Sequence, residues 1–156
     1  MTSAPLLQPT AQILHLAGNW PRLATGRVIL GYDERFLRRK RLVTTNGEGF
    51  LVDLAETANL KSGDAFELTD GRLIEIAAAA EDVLIITGDL TRLAWHIGNR
   101  HTPCQIEPSR LVIRADPVLA NMLQGLGATV TPAKQPFTPE GGAYGTGRTM
   151  GHDHSH

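Results

Sequence analysis

The chain has 156 residues, with 15 Lys and Arg against 16 Asp and Glu, so its formal net charge of −1 gives no overall basic field for nucleic acid. Hydrophobic residues at 42% and charged residues at 20% describe an ordinary folded protein, either one average domain or two small ones. A single cysteine, Cys104, excludes an internal disulfide and fits a reducing cytoplasm, and no apolar run approaches the ~20 residues of a bilayer span.

The opening stretch MTSAPLLQPTAQILHLAGNW lacks the basic flank, apolar core and small-residue cleavage site of a secretory signal. From there the first half reads as β structure. RVILGY (27–32), RLVTT (41–45), FLVDL (50–54), AFELT (65–69) and LIEIA (73–77) are short apolar runs. Asn46-Gly47 and Asp70-Gly71 between them suit the positive φ angles of tight hairpins. Strands of this length and spacing predict a small antiparallel sheet or sandwich. The basic run RFLRRKR (35–41) is either a strand edge guarded by charge or an electrostatic docking patch for an acidic surface.

The second half changes period. DVLIIT (82–87) is a strand, and Asp89 after Gly88 caps a helix with Leu90, Leu93, Ala94 and Ile97 on one face. Gly98-Asn99 are placed to end that helix in a left-handed turn. CQIEP (104–108) and RLVIR (110–114) read as paired strands. Asp116-Pro117 supplies a cap and a first-turn proline for a second helix, with Val118, Leu119, Met122, Leu123 and Leu126 as its buried stripe and Gly127 as its end. ATVTPAK (128–134) is the last strand. The order βαββαβ is that of a ferredoxin-like unit. The expected organisation is therefore α+β, with a β-rich, partner-binding domain at 1–75, a ferredoxin-like domain at 76–136, and a flexible Gly/Pro/His tail at 137–156. An RNA-recognition domain shares the second topology but needs aromatics on its sheet, and the strand runs from 82 to 134 hold none.

Two stretches carry chemistry. TMGHDHSH (149–156) places His152, His154 and His156 in the last five positions of a chain with six histidines. Apart from Met150 it has nothing to bury, and imidazoles so placed suit weak, reversible capture of a borderline metal ion. An appended tag is the plain alternative, although tags are normally unbroken His runs and this tail is interrupted. LAWHIGNRHTPCQI (93–106) holds His96 in a helix's last turn and His101 on a loop stiffened by Pro103. Taken alone, His96 reads as a helix-terminal surface residue and His101 as either an incidental loop residue or a ligand. Cys104 begins a strand, where burial is the usual fate of a free thiol; a Cys104/His101 nucleophile pair lacks a third, orienting group. There is no CxxC pair and no HExxH. A rigid histidine on a two-fold axis would nevertheless meet its own copy, and tail histidines would then complete the shell.

The string GNRH with a following Pro and QI, then DPVLANML, LGATVT, PFTPEGGAYG and a His-rich terminus, resembles the urease accessory protein UreE family. DERFLRRKRLVTTNGEGFLVDL and LKSGDAFELTDGRLIEI are similar to its N-terminal half, so the likeness covers nearly the whole chain. The resemblance implies a homodimeric nickel metallochaperone, not an enzyme, that delivers Ni²⁺ for urease maturation in the cytoplasm. It implies His101 from each subunit as the central ligand pair, with His152, His154 and His156 adding ligands, His96 peripheral, and Zn²⁺ or Cu²⁺ able to substitute. Implied partners are the urease apoenzyme and other accessory proteins, among them a GTPase-type one, with no nucleic acid and no membrane. IRADPV stands where some relatives carry further histidines before the second helix, and the short tail argues against storage of many ions. A general nickel, zinc or copper buffer without a delivery partner is the alternative.

Overall fold

A computed structural model describes residues 8–141, and these form two compact units that divide between Ala78 and Ala79. The first unit contains β1 (Thr10–His15), β2 (Ala24–Leu30), a 3₁₀ turn (Asp33–Arg35), β3 (Phe36–Val43), β4 (Gly49–Asn59), β5 (Ala65–Leu68) and β6 (Leu73–Ala78). They make one six-stranded sheet in the order β2-β6-β5-β1-β4-β3.

This sheet is mixed, which corrects the antiparallel expectation: β1 runs parallel to β4, and β2 parallel to β6. Hairpin signals report only strands adjacent in sequence, here β3–β4 and β5–β6. The parallel pairs join segments some forty residues apart and leave no turn signature. β1 itself, inside the N-terminal stretch, fills the place between β4 and β5. The two hairpins share one geometry. Gly47 N–H donates to the Thr44 carbonyl and Thr44 N–H to that of Glu48; Gly71 bonds Leu68, and Leu68 bonds Arg72, in the same way. Only the glycines are at positive φ (88° and 92°), so each is a three-residue loop rather than a two-residue one. Arg72 ties the hairpins together through a bidentate bond to Glu48 (2.7 and 2.6 Å) and one to Asp70 at 2.9 Å. The core beneath is aliphatic around an edge-to-face pair, Phe50 and Phe66, with centroids 5.8 Å apart.

The second unit contains β7 (Ala80–Thr87), α1 (Leu90–Asn99), β8 (Gln105–Ile106), β9 (Leu111–Arg114), α2 (Pro117–Gly125) and β10 (Thr129–Pro136). Its sheet runs β10-β7-β9-β8 with every neighbour antiparallel, the strand order of a split βαβ unit. Leu93 and Ile97 of α1 and Leu119 and Leu123 of α2 pack on Leu84, Ile86, Leu111 and Ile113. Both caps form: the Asp89 side chain accepts from Arg92 N–H, and that of Asp116 from Val118 and Leu119 N–H. Val118, expected in the buried stripe, is 67% exposed: it stands about 100° around the helix from Leu119, at the margin of the face that Leu119 and Leu123 bury. Ordered chain also continues past Pro136, where the tail was expected to begin: Phe137 is fully buried and Glu140 N–H donates to the Cys104 carbonyl at 2.8 Å.

Candidate metal site

The ends of α1 and α2 are built alike. At α2, Gly127 N–H donates to Gln124 and Ala128 N–H to Leu123, with Gly127 at φ 92°. At α1, His101 N–H donates to the Gly98 carbonyl at 2.9 Å and Thr102 N–H to that of Ile97 at 3.4 Å, with His101 at φ 56°. Both are Schellman caps, in which the residue after the cap turns left-handed and glycine is the usual occupant. The left-handed residue of α1 is therefore His101, not Gly98 or Asn99, which stay helical. Among the described residues His101 is the only non-glycine at positive φ. An L-residue there costs about 1–2 kcal/mol, so glycine would cap this helix more stably.

The backbone presents His101 at the surface, exposed, on the carbonyl end of α1, where the helix dipole favours a cation. His96 lies in the last turn of α1, half-buried, its ring edge-on to Trp95 with centroids 5.1 Å apart. His152, His154 and His156 lie outside the described residues. Among the described residues no three His, Cys, Asp or Glu side chains converge on a metal-sized site.

Cys104 packs against the helix-side core, and burial pushes its thiol up to about 11, with the Glu140 carboxylate adding to the rise. At neutral pH it is a thiol, a poor nucleophile and a poor ligand. Gln105, which follows, has no sequence signal of any role. Its Nε2 donates to Glu107 Oε2 at 2.6 Å and its Oε1 accepts from Thr138 N–H at 2.9 Å. Glu107 is in turn held by Arg110 at 2.8 Å, which keeps its carboxyl below the ordinary carboxylate range. Of the basic run 35–41, Arg35 closes the 3₁₀ turn and is buried, and the rest falls on β3, an edge strand with Arg38, Arg39, Lys40 and Arg41 exposed. Arg38 and Arg39 each approach Asp53 at 3.7 Å, an arrangement that suits a guarded edge.

An exposed histidine at a helix's carbonyl end, three residues before a half-buried thiol that stays protonated, suits holding a cation better than attacking a substrate. Comparison with known proteins gives the class a family. Residues 9–79 match the family model described as the UreE urease accessory protein, N-terminal domain, and residues 75–156 match that of its C-terminal domain. The chain belongs to the UreE family of urease accessory proteins, non-catalytic chaperones that act with nickel in urease maturation. It is 65% identical to the urease accessory protein UreE of Cereibacter sphaeroides over 146 residues, 94% of this chain and 80% of that protein. It is 64% identical to that of Rhodobacter capsulatus, covering 88% of each, and 60% identical to that of Ruegeria pomeroyi, covering 94% of this chain and 98% of that protein. No helix among the described residues is long and apolar enough to cross a membrane.

Proposed function

We propose that this chain is a cytoplasmic nickel metallochaperone that carries Ni²⁺ to the urease apoenzyme and its accessory proteins, and that the ion is gripped by His101 from each subunit of a homodimer. The observation that carries the residue assignment is the left-handed conformation of His101. Strain held at a position that glycine fills at less cost is retained for what the side chain does, not for the cap. One rigid imidazole per chain is enough when a two-fold axis doubles it.

The tail residues His152, His154 and His156 complete the coordination shell, and His96 stays peripheral. Zn²⁺ and Cu²⁺ substitute in vitro because imidazole sites discriminate poorly among these ions. A site of neutral nitrogen donors on an exposed loop releases its cargo easily, which suits delivery. Imidazole binds metal only when neutral, so nickel affinity falls on acidification.

Nickel titration of the full chain, His101→Ala and a 1–150 truncation, with the mass of each species measured, tests this. The full chain is expected to bind one tight Ni²⁺ per two chains. His101→Ala should lose that ion and urease activation with it, and the truncation should lose less. A general buffer predicts the reverse order, with tail loss the more damaging.

A further inference from the structure

β8 is a weak place in the second unit's sheet. It is two residues long, Gln105–Ile106, and it is an edge strand whose neighbour is β9. Strands this short contribute few ladder bonds and open easily. It is also the strand that the His101 loop runs into, since only Thr102 and Pro103 stand between His101 and Cys104. Whatever fixes residues 104 and 105 therefore fixes the far end of that loop.

Bonds from the chain after β10 fix both. Thr138 N–H donates to Gln105 Oε1 at 2.9 Å, its hydroxyl approaches the same oxygen at 3.4 Å, and Glu140 N–H donates to the Cys104 carbonyl at 2.8 Å. The Gln105 amide is oriented for this. Its nitrogen donates to Glu107 Oε2 at 2.6 Å, and Arg110, from across the β8–β9 turn, holds the Glu107 carboxylate at 2.8 and 3.4 Å. A carboxylate only accepts, so the amide nitrogen faces Glu107 and the amide oxygen is left for Thr138. Cys104 packs against the core of the unit and Phe137 is fully buried, which anchors both sides of the clamp.

The near end of the loop is held by α1. His101 N–H bonds the Gly98 carbonyl at 2.9 Å, but the Thr102 bond to Ile97 is longer, at 3.4 Å. His101 stands at φ 56°, a conformation that an L-residue keeps only while its surroundings enforce it. Pro103 has its own φ fixed and confines Thr102 to extended backbone. With both ends held, His101 has little freedom; with the far end loose, its strain has a way out.

We infer that Gln105 is a positioning residue for the nickel site: its amide, set by Glu107 and Arg110, ties Thr138 to β8 and so enforces the left-handed conformation of His101. This rests on the nickel reading above. A ligand that must be ordered at the moment of binding loses affinity, and removal of a supporting partner outside the ligand shell commonly costs about tenfold or more.

Calorimetric titration of the full chain with nickel chloride tests this. Gln105→Met removes the acceptor at nearly constant volume and is expected to weaken binding about tenfold. Thr138→Pro, which deletes the donor without touching β8, should reproduce the loss. The exchange Gln105→Glu with Glu107→Gln, which keeps an oxygen for Thr138 and the 105–107 bond, should restore the full affinity. In a His101→Ala background Gln105→Met should have no further effect on the weaker binding that remains. Hydrogen exchange without nickel reads the loop itself: the Thr102 amide should exchange faster in Gln105→Met, and those of Leu93 and Ile97 in α1 should not. Far-UV dichroism and a melting midpoint establish that each variant folds. Unchanged nickel affinity in a folded Gln105→Met chain would overturn the inference, as would an equal loss in the His101→Ala background. Nickel binding that His101→Ala leaves intact would mean that the nickel reading has failed first, and the inference with it.

Discussion

The two helices of the second unit end in the same Schellman bond pattern, but α2 places Gly127 at the left-handed position and α1 places His101 there. Gly127 does what the motif needs and nothing more. His101 does the same backbone task at a cost, and it does so at an exposed position. On the proposed nickel reading, the difference separates a residue chosen for conformation from one kept for its side chain. The rigidity that the proposed pairing of two His101 copies requires is available at this position. The cap bonds hold its backbone, and Pro103 restricts the residue before it.

Exchange of the two occupants should break this comparison most sharply. His101→Gly should lower nickel affinity by on the order of 100-fold or more, since loss of even an outer-shell partner commonly costs 10–100-fold. The same variant should be more stable by about 0.5–1 kcal/mol, because the left-handed strain outweighs glycine's extra entropy in the unfolded chain. Denaturant unfolding beside the nickel titration reads both effects. Gly127→His should destabilise by about 1–2 kcal/mol and create no nickel site. A stable Gly127→His chain would mean that the position tolerates side chains freely and that His101 carries no strain.

Smaller effects sharpen the same contrast at neighbouring residues. Cys104→Ser should leave nickel affinity within about twofold, since a thiol raised to about 11 is not a thiolate ligand at neutral pH. Alkylation of Cys104 in the folded chain should accordingly be far slower at pH 8 than that of a free thiol. In the first unit, Arg72 holds the Glu48 and Asp70 carboxyls below their ordinary values of 4.5 and 3.8. A depressed carboxylate contributes stability that is complete above its unfolded value and fades as pH falls through the folded one. Arg72→Ala should therefore matter slightly at pH 7 and flatten the acid limb of the stability curve below about pH 4.5. Acid titration by tryptophan fluorescence reads this, and an unchanged acid limb would show that the two hairpins do not depend on the clamp.

Local chemistry was legible in the sequence. Asp89 and Asp116 announced their helices, the Leu93/Ile97 and Leu119/Leu123 pairs announced the buried faces, and the glycines at 47 and 71 announced the hairpins. What needed distant partners was not. β1 is a strand because β4 and β5 leave a slot for it, and the chain after β10 is held where Thr138 N–H finds Gln105 Oε1, thirty-three residues away. His101 was visible as a loop histidine, but its strain was hidden. Glycine preference drew the left-handed turn to Gly98, whereas the helix runs on to Asn99 and the turn falls two residues beyond. The tail histidines were visible only as composition, and they lie outside the described residues.

The central claim is that two copies of one strained imidazole share a nickel ion across a dimer axis. A crystal structure of the nickel-loaded dimer, with the metal located by anomalous scattering, tests it directly. The expected result is a single strong nickel peak on the two-fold axis, within bonding distance of His101 from both subunits. Nickel bound elsewhere, with the two His101 rings apart and unliganded, would contradict it.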